Sequence, residues 1–257
     1  MRQDISRAGL WGCGMEIGAV TPGSTALLPD PETYELEYRF WPWGRMINRV
    51  VEIVVETAPP SAHIFDYMCG TGFLLSQIVA RRPDLIGQGC DSLASYVTYG
   101  LEKRPTLALA LGDARTYSPA KEQDIIICTS GLHHLGVQDQ EPFLRKISRE
   151  CVQATRVLLA EEALAPYGTD EERLRSAVQL NCDLVRLGLH EEWPSAMIHA
   201  VLDILHNDVL LRGECKRDLK GWTSLVERYF RVDSIVQTWS APSGGGDYLM
   251  LCRPLQQ

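Results

Sequence analysis

DYMCGTG, Asp66 to Gly72, follows the apolar residues Ile64 and Phe65 and runs into the helical pattern of Phe73–Arg81. His63–Tyr67 reads as a short strand and Gly70-Thr71-Gly72 as a tight turn. Glycine at such a turn lets the backbone bend sharply and lie against a ligand that any Cβ would push away. A strand, a glycine turn and a helix in that order form the opening unit of a nucleotide-type α/β site.

The same rhythm repeats outward from this unit. Leu85–Cys90 is the next strand, followed by a helix over Ser92–Glu102. Thr106–Leu111 and Asp124–Thr129 are the third and fourth strands. A helix at Glu141–Ala154 leads to the fifth, Arg156–Glu161. Strands separated by helical stretches imply parallel neighbours, which need crossovers. Residues 162–220 break the rhythm with two amphipathic helices and no strand. The first carries Leu174, Ala177, Val178, Asn181 and Val185; the second takes Ile198, Val201, Leu202, Leu205 and Val209 as its core face. A helix at Leu219–Phe230 then precedes strands at Val232–Thr238 and Tyr248–Cys252. Only Trp239–Asp247 joins these two strands, too short a link for a helical crossover, so the last strand is expected antiparallel. The fold class is thus α/β, a doubly wound, mostly parallel seven-stranded sheet. Residues 1–58 form an N-terminal arm and helix, with 1–30 irregular, and 59–257 the main domain with a helical lid at about 162–218.

Dinucleotide sites use G-x-G-x-x-G, but Leu75 stands where the third glycine belongs. Acid-x-x-x-Gly-x-Gly, with Cys69 in the small-residue slot, instead resembles the first motif of the class I S-adenosylmethionine-dependent methyltransferases. The antiparallel last strand is similar too. That resemblance covers roughly 60–162 and 219–253, and implies S-adenosyl-L-methionine as cofactor. It places Asp66, Cys69, Gly70, Thr71 and Gly72 around the methionine end. Asp91, 19 residues after Gly72, with Ser92, falls at the ribose hydroxyls, and Gly112, Asp113 and Ala114 at the adenine. Thr129 and Tyr38 complete the implied cofactor contacts. Asp91 also suits a plain helix N-cap, and Asp113 a turn.

A methyl acceptor with a hydroxyl or protonated nitrogen is helped by a base. His133 and His134, just past the fourth strand, are the catalytic candidates. Tyr34, Trp41, His199 and His206 are candidate substrate contacts. His199, Asp203 and His206 share a helix face, but a solvated polar stripe is the simpler reading, so no metal site is assigned. Glu161-Glu162 reads as a solvated turn. The implied activity is transfer of a methyl group to an oxygen or nitrogen of a small molecule, as in natural product biosynthesis. A non-methylating cyclisation or rearrangement on the same fold, and a non-catalytic partner subunit, are the alternatives.

Composition narrows the partners. The chain has 257 residues, 25 Lys and Arg against 33 Asp and Glu, and no basic cluster, which disfavours nucleic acid. No apolar run reaches the ~18 residues of a membrane span. Arg2, Asp4, Arg7 and Glu16 leave no signal-peptide core in the first 20 residues. The eight cysteines are dispersed and read as reduced thiols of a cytoplasmic protein. A homodimer through the aromatic arm or the 190–211 helix is left open.

Overall fold

The structure, a computed structural model, describes residues 28–255, so most of the irregular segment expected at 1–30 lies outside the described residues. Helix α1 (Pro31–Phe40) starts at Asp30, whose carboxylate accepts from the Glu32 and Thr33 amides at 3.0 Å. Helix α2 (Trp43–Thr57) buries Met46, Ile47, Val50, Val51 and Val54, one apolar face of an otherwise polar helix. There follow β1 (His63–Tyr67), α3 (Phe73–Arg81), β2 (Ile86–Asp91), α4 (Ala94–Lys103), β3 (Ala108–Leu111) and β4 (Ile125–Thr129). A 3₁₀ turn, Leu132–His134, leads to α5 (Val137–Glu150) and β5 (Arg156–Leu164). Then come α6 (Asp170–His190), α7 (Ser195–Leu210), β6 (Arg217–Asp218), α8 (Leu219–Val226), β7 (Phe230–Ser240) and β8 (Gly246–Pro254).

The strands pair in the order β3-β2-β1-β4-β5-β8-β7, with the two-residue β6 added beside β5. Strands β1 to β5 are parallel, and β8 is antiparallel to both β5 and β7. Central strands are buried on both faces, which is why they read as unbroken apolar runs. Ile64, Ile125, Ile127 and Leu158 point to the side of α2, α3 and α4. Phe65, Ile126, Val157 and Leu159 point to α5 and α8. The β7–β8 hairpin closes at Gly245, where a Cβ would stand 2.6 Å from the Ala163 carbonyl oxygen.

Four expectations are corrected. Helix α5 starts a turn early, at Val137, because the Gly136 carbonyl accepts from the Asp139 and Gln140 amides. Strand β5 runs on to Leu164, since β8 continues to pair with it from Glu161 to Ala163. Glu161 and Glu162 are therefore strand residues and not a solvated turn. In α7 the buried positions are Met197, Val201 and Asp208, whereas Leu202 is 47% exposed. The cause is polar: Asp208 is fully buried and holds Lys216 Nζ and Asn181 Nδ2 at 3.0 Å, which turns the helix away from its hydropathy maximum. The segment also contains β6, too short to leave a periodic signal.

Candidate active site

Ligand sites in open α/β sheets lie at the carboxyl ends of the strands. Here the glycine turn leaves β1 with Gly70 at φ 55° and Gly72 at φ 72°, left-handed geometry that suits glycine. Asp91, at the end of β2, accepts from the Gly70 amide at 2.9 Å and from the Leu93 amide at 2.8 Å, so one carboxylate braces the turn and caps the approach to α4. Its carbonyl also accepts from the Gly112 amide at 2.9 Å. The structure thereby brings Asp66, Cys69, Gly70, Thr71, Gly72, Asp91 and Gly112 together. Asp66 is 3% exposed and, among the described residues, makes no side-chain hydrogen bond. Burial and the Asp91 charge drive its carboxyl well above the usual range. The Thr71 and Thr129 hydroxyls are likewise buried without partners.

The outer candidates are arranged differently. Asp113 is gripped by Arg115, with Oδ2 2.6 Å from its guanidinium, which holds the carboxyl below its ordinary value. Ala114 is buried beneath it and Ser92 is exposed beside Asp91. From the arm, the Tyr34 ring rests on Gly70, where an added Cβ would meet it at 2.9 Å. Tyr38 stacks between Trp43 and Phe73 at 4.3 Å from each and reaches only the Tyr34 hydroxyl, at 3.5 Å. Tyr34 thus lies against the glycine turn, and Tyr38 is partly buried beside it, where the Asp66 charge reaches its phenol.

Next to this strip lies a cavity of about 450 Å³. Tyr34, Glu37, Trp41 and Trp43 line it from the arm, Ser130, His133 and His134 from beyond β4, and Ala200, Asp203, Ile204 and Asn207 from α7. Glu162, Glu214 and Lys216 complete the polar wall. His199 and His206 are exposed on the outer side of α7 and do not line it, a consequence of the rotation that Asp208 imposes.

His133 is 3% exposed, and its Nδ1 lies 2.6 Å from Glu161 Oε2. The other oxygen of Glu161 accepts from the Gly131 and Leu132 amides, at 3.2 and 2.7 Å. Burial pushes the imidazole down to about 3 and the Glu161 carboxyl up to about 7. The imidazole is therefore neutral. Nδ1–H then points at Glu161, and Nε2, the unprotonated nitrogen, lies 3.5 Å from Glu214 Oε2. His134 is half-exposed, and its Nδ1 is 2.8 Å from the Gly213 carbonyl oxygen. The segment before β6 is pinned to this turn, because Cys215 donates its amide to the His133 carbonyl at 2.7 Å. Lys216, 2% exposed, lies against Glu162, Asp208 and Glu214.

Sequence reasoning missed Glu161, Glu37, Glu162, Glu214 and Lys216. Two acids embedded in the apolar run LLAEEALA were the one available signal, because acids inside a strand need partners.

No family model matches the sequence, and no curated protein is similar to it in sequence. Solved structures do share its fold. The mitomycin 7-O-methyltransferase MmcR is 18% identical with a TM-score of 0.56, covering 88% of this chain and 58% of that one. The N-methyltransferase NodS from Bradyrhizobium japonicum, in complex with S-adenosyl-L-homocysteine, is 10% identical with a TM-score of 0.55, covering 87% and 99%. A pericyclic reaction enzyme is 12% identical with a TM-score of 0.53, covering 77% of this chain and 44% of that one. The chain spans less than two thirds of the first and third of these proteins.

Proposed function

We propose that this chain, which has the class I methyltransferase fold, is an S-adenosyl-L-methionine-dependent methyltransferase of a small molecule, with His133 as its base. The observation that carries the reading is the buried His133–Glu161 pair on the wall of the cavity beside the glycine turn. The residues present fit the cofactor. Asp66 offers a buried carboxylate, without a hydrogen-bond partner among the described residues, to an α-ammonium group, and the missing Cβ at Gly70 lets the Tyr34 ring close over the turn. Asp91 has lone pairs remaining for ribose hydroxyls. Asp113 is already engaged by Arg115, so an adenine amino group would share that carboxylate with the guanidinium.

When bound, the cofactor supplies an electrophilic methyl group on a sulfonium. What the chain must add is position, dryness and a place for one proton. Tyr34, Trp41 and Trp43 give the cavity its apolar wall. Nε2 of His133 accepts the proton of the acceptor's hydroxyl or amine. Glu161 then holds an imidazolium at Nδ1, as a carboxylate does for any positioned histidine base. His134, bonded to the Gly213 carbonyl, shapes the wall.

Calorimetric titration with S-adenosylmethionine and S-adenosylhomocysteine, with NAD as control, tests the cofactor. Saturable one-to-one binding of both sulfur ligands and none of NAD is expected, and Asp91→Ala abolishes it. Absence of binding by either sulfur ligand removes the reading. Since the same fold also serves a pericyclic reaction enzyme, product mass decides the chemistry: only methylation adds a CH₂ unit.

A further inference from the structure

We propose that the acceptor is an organic molecule carrying an amine, whose ammonium group is recognised as an anchor, not as the nucleophile, in the cavity between α1, the β5 end and α7. The inference rests on the methyltransferase reading for the word acceptor; the affinity for an ammonium group stands on the cavity alone.

Its wall carries four carboxyl side chains, Glu37, Glu162, Asp203 and Glu214, against one ammonium, Lys216. That lysine is already compensated. It touches Glu162 at 3.4 Å and Asp208 at 3.0 Å, and it also contacts Glu214. Glu37 is different. It is 5% exposed, and among the described residues its side chain has neither a hydrogen bond nor an ion pair. A buried carboxylate is ordinarily paired, so an unpaired one on a cavity wall calls for a positive group from the ligand. Burial and the charges of Glu162 and Glu214 raise the Glu37 carboxyl well above its ordinary value, the pressure that a cation would relieve.

The rest of the wall selects the kind of cation. Trp41, Trp43 and Tyr34 offer aromatic surface, which attracts an ammonium and also packs against an organic skeleton. A cavity of about 450 Å³ is the size of a small organic molecule, not of an ion. A metal is served poorly. His133, His134 and Glu214 do bring ligand atoms within 4.8 Å of one another. Yet His134 Nδ1 faces the Gly213 carbonyl oxygen at 2.8 Å, an arrangement that needs its proton, and Glu214 already holds Lys216.

The test uses three probes of one shape and different charge: tryptamine, 3-ethylindole and indole-3-propionate. Each is titrated by calorimetry into protein saturated with S-adenosylhomocysteine, and again without it. Tryptamine is expected to bind at least about tenfold more tightly than 3-ethylindole, with the anion weakest. In Glu37→Gln, checked for folding by circular dichroism, that advantage shrinks to about threefold or less. Equal binding of the three, preference for the anion, or no tryptamine binding at millimolar concentration overturns the proposal. The wild-type ranking decides even if the variant misfolds. Stoichiometric zinc binding that displaces tryptamine would assign the acids to a metal and also overturn it. If S-adenosylhomocysteine fails to bind while tryptamine keeps its advantage, the methyltransferase reading falls and the ammonium site stands.

Discussion

At the scale of the residue, Glu161 serves the reaction at the expense of the fold. Its carboxyl is pushed up to about 7 by burial, so the folded chain holds this proton over a range where the unfolded chain, near 4.5, has lost it. The group therefore favours folding less and less as pH rises from about 4.5 to about 7, by up to ~3 kcal/mol. Glu161→Gln keeps an oxygen for the Gly131 and Leu132 amides and removes the charge. We expect it to melt higher than wild type at pH 8 and to lose most activity. In wild type, kcat/KM is expected to fall about tenfold per pH unit below the ~7 at which Glu161 takes its proton, and the glutamine variant should lack that limb. His133→Ala should lower kcat by about 10²–10⁴, and His134→Ala by less than about tenfold, measured with saturating substrates. Equal losses would mean that the two rings work as a unit. The histidines were legible because they follow a strand end. Their partner was not, because paired acids look the same in a turn and in a buried strand until the opposing strand is known.

At the scale of the element, the strands of the sheet were the legible part. His63–Tyr67 and Phe73–Arg81 fall where the spacing predicts them, since a short strand-like run between Pro59-Pro60 and the glycine turn has few other ways to fold. The orientation of α7 was not legible. Hydropathy sees Leu202 and Leu205, whereas the helix is turned by Asp208, whose reason for being buried, Lys216, lies eight residues further on. This ion cluster holds α7 to the segment before β6. Lys216→Met would leave Glu162, Asp208 and Glu214 buried without their shared cation, and is expected to destabilise by about 3–5 kcal/mol in urea unfolding. Loss below about 1 kcal/mol would mean that the cluster is wet and that α7 is held by its apolar contacts, Met197 and Val201 among them.

At the scale of the whole molecule, the buried acids act together. Glu37, Asp66, Asp91, Glu161 and Asp247 all have carboxyls raised by burial. For an acid raised in the folded state, stability falls as pH climbs from the unfolded value toward the folded one. The melting temperature of the ligand-free chain is therefore expected to be higher near pH 6 than near pH 8, read by calorimetry at fixed ionic strength. Part of that loss at pH 8 should return on adding tryptamine. The arm itself sits on both sites. Tyr34 covers Gly70 and also lines the cavity, and α1 is tied to α4 by Glu35–Arg104 at 2.7 Å and by the Tyr96 hydroxyl donating to the Pro29 carbonyl. A wall common to two ligands couples their affinities, and by linkage whatever factor S-adenosylhomocysteine applies to tryptamine, tryptamine must return to S-adenosylhomocysteine. Cutting the tie with Arg104→Ala should shrink both factors equally, so this helix would meter the traffic between cofactor and acceptor.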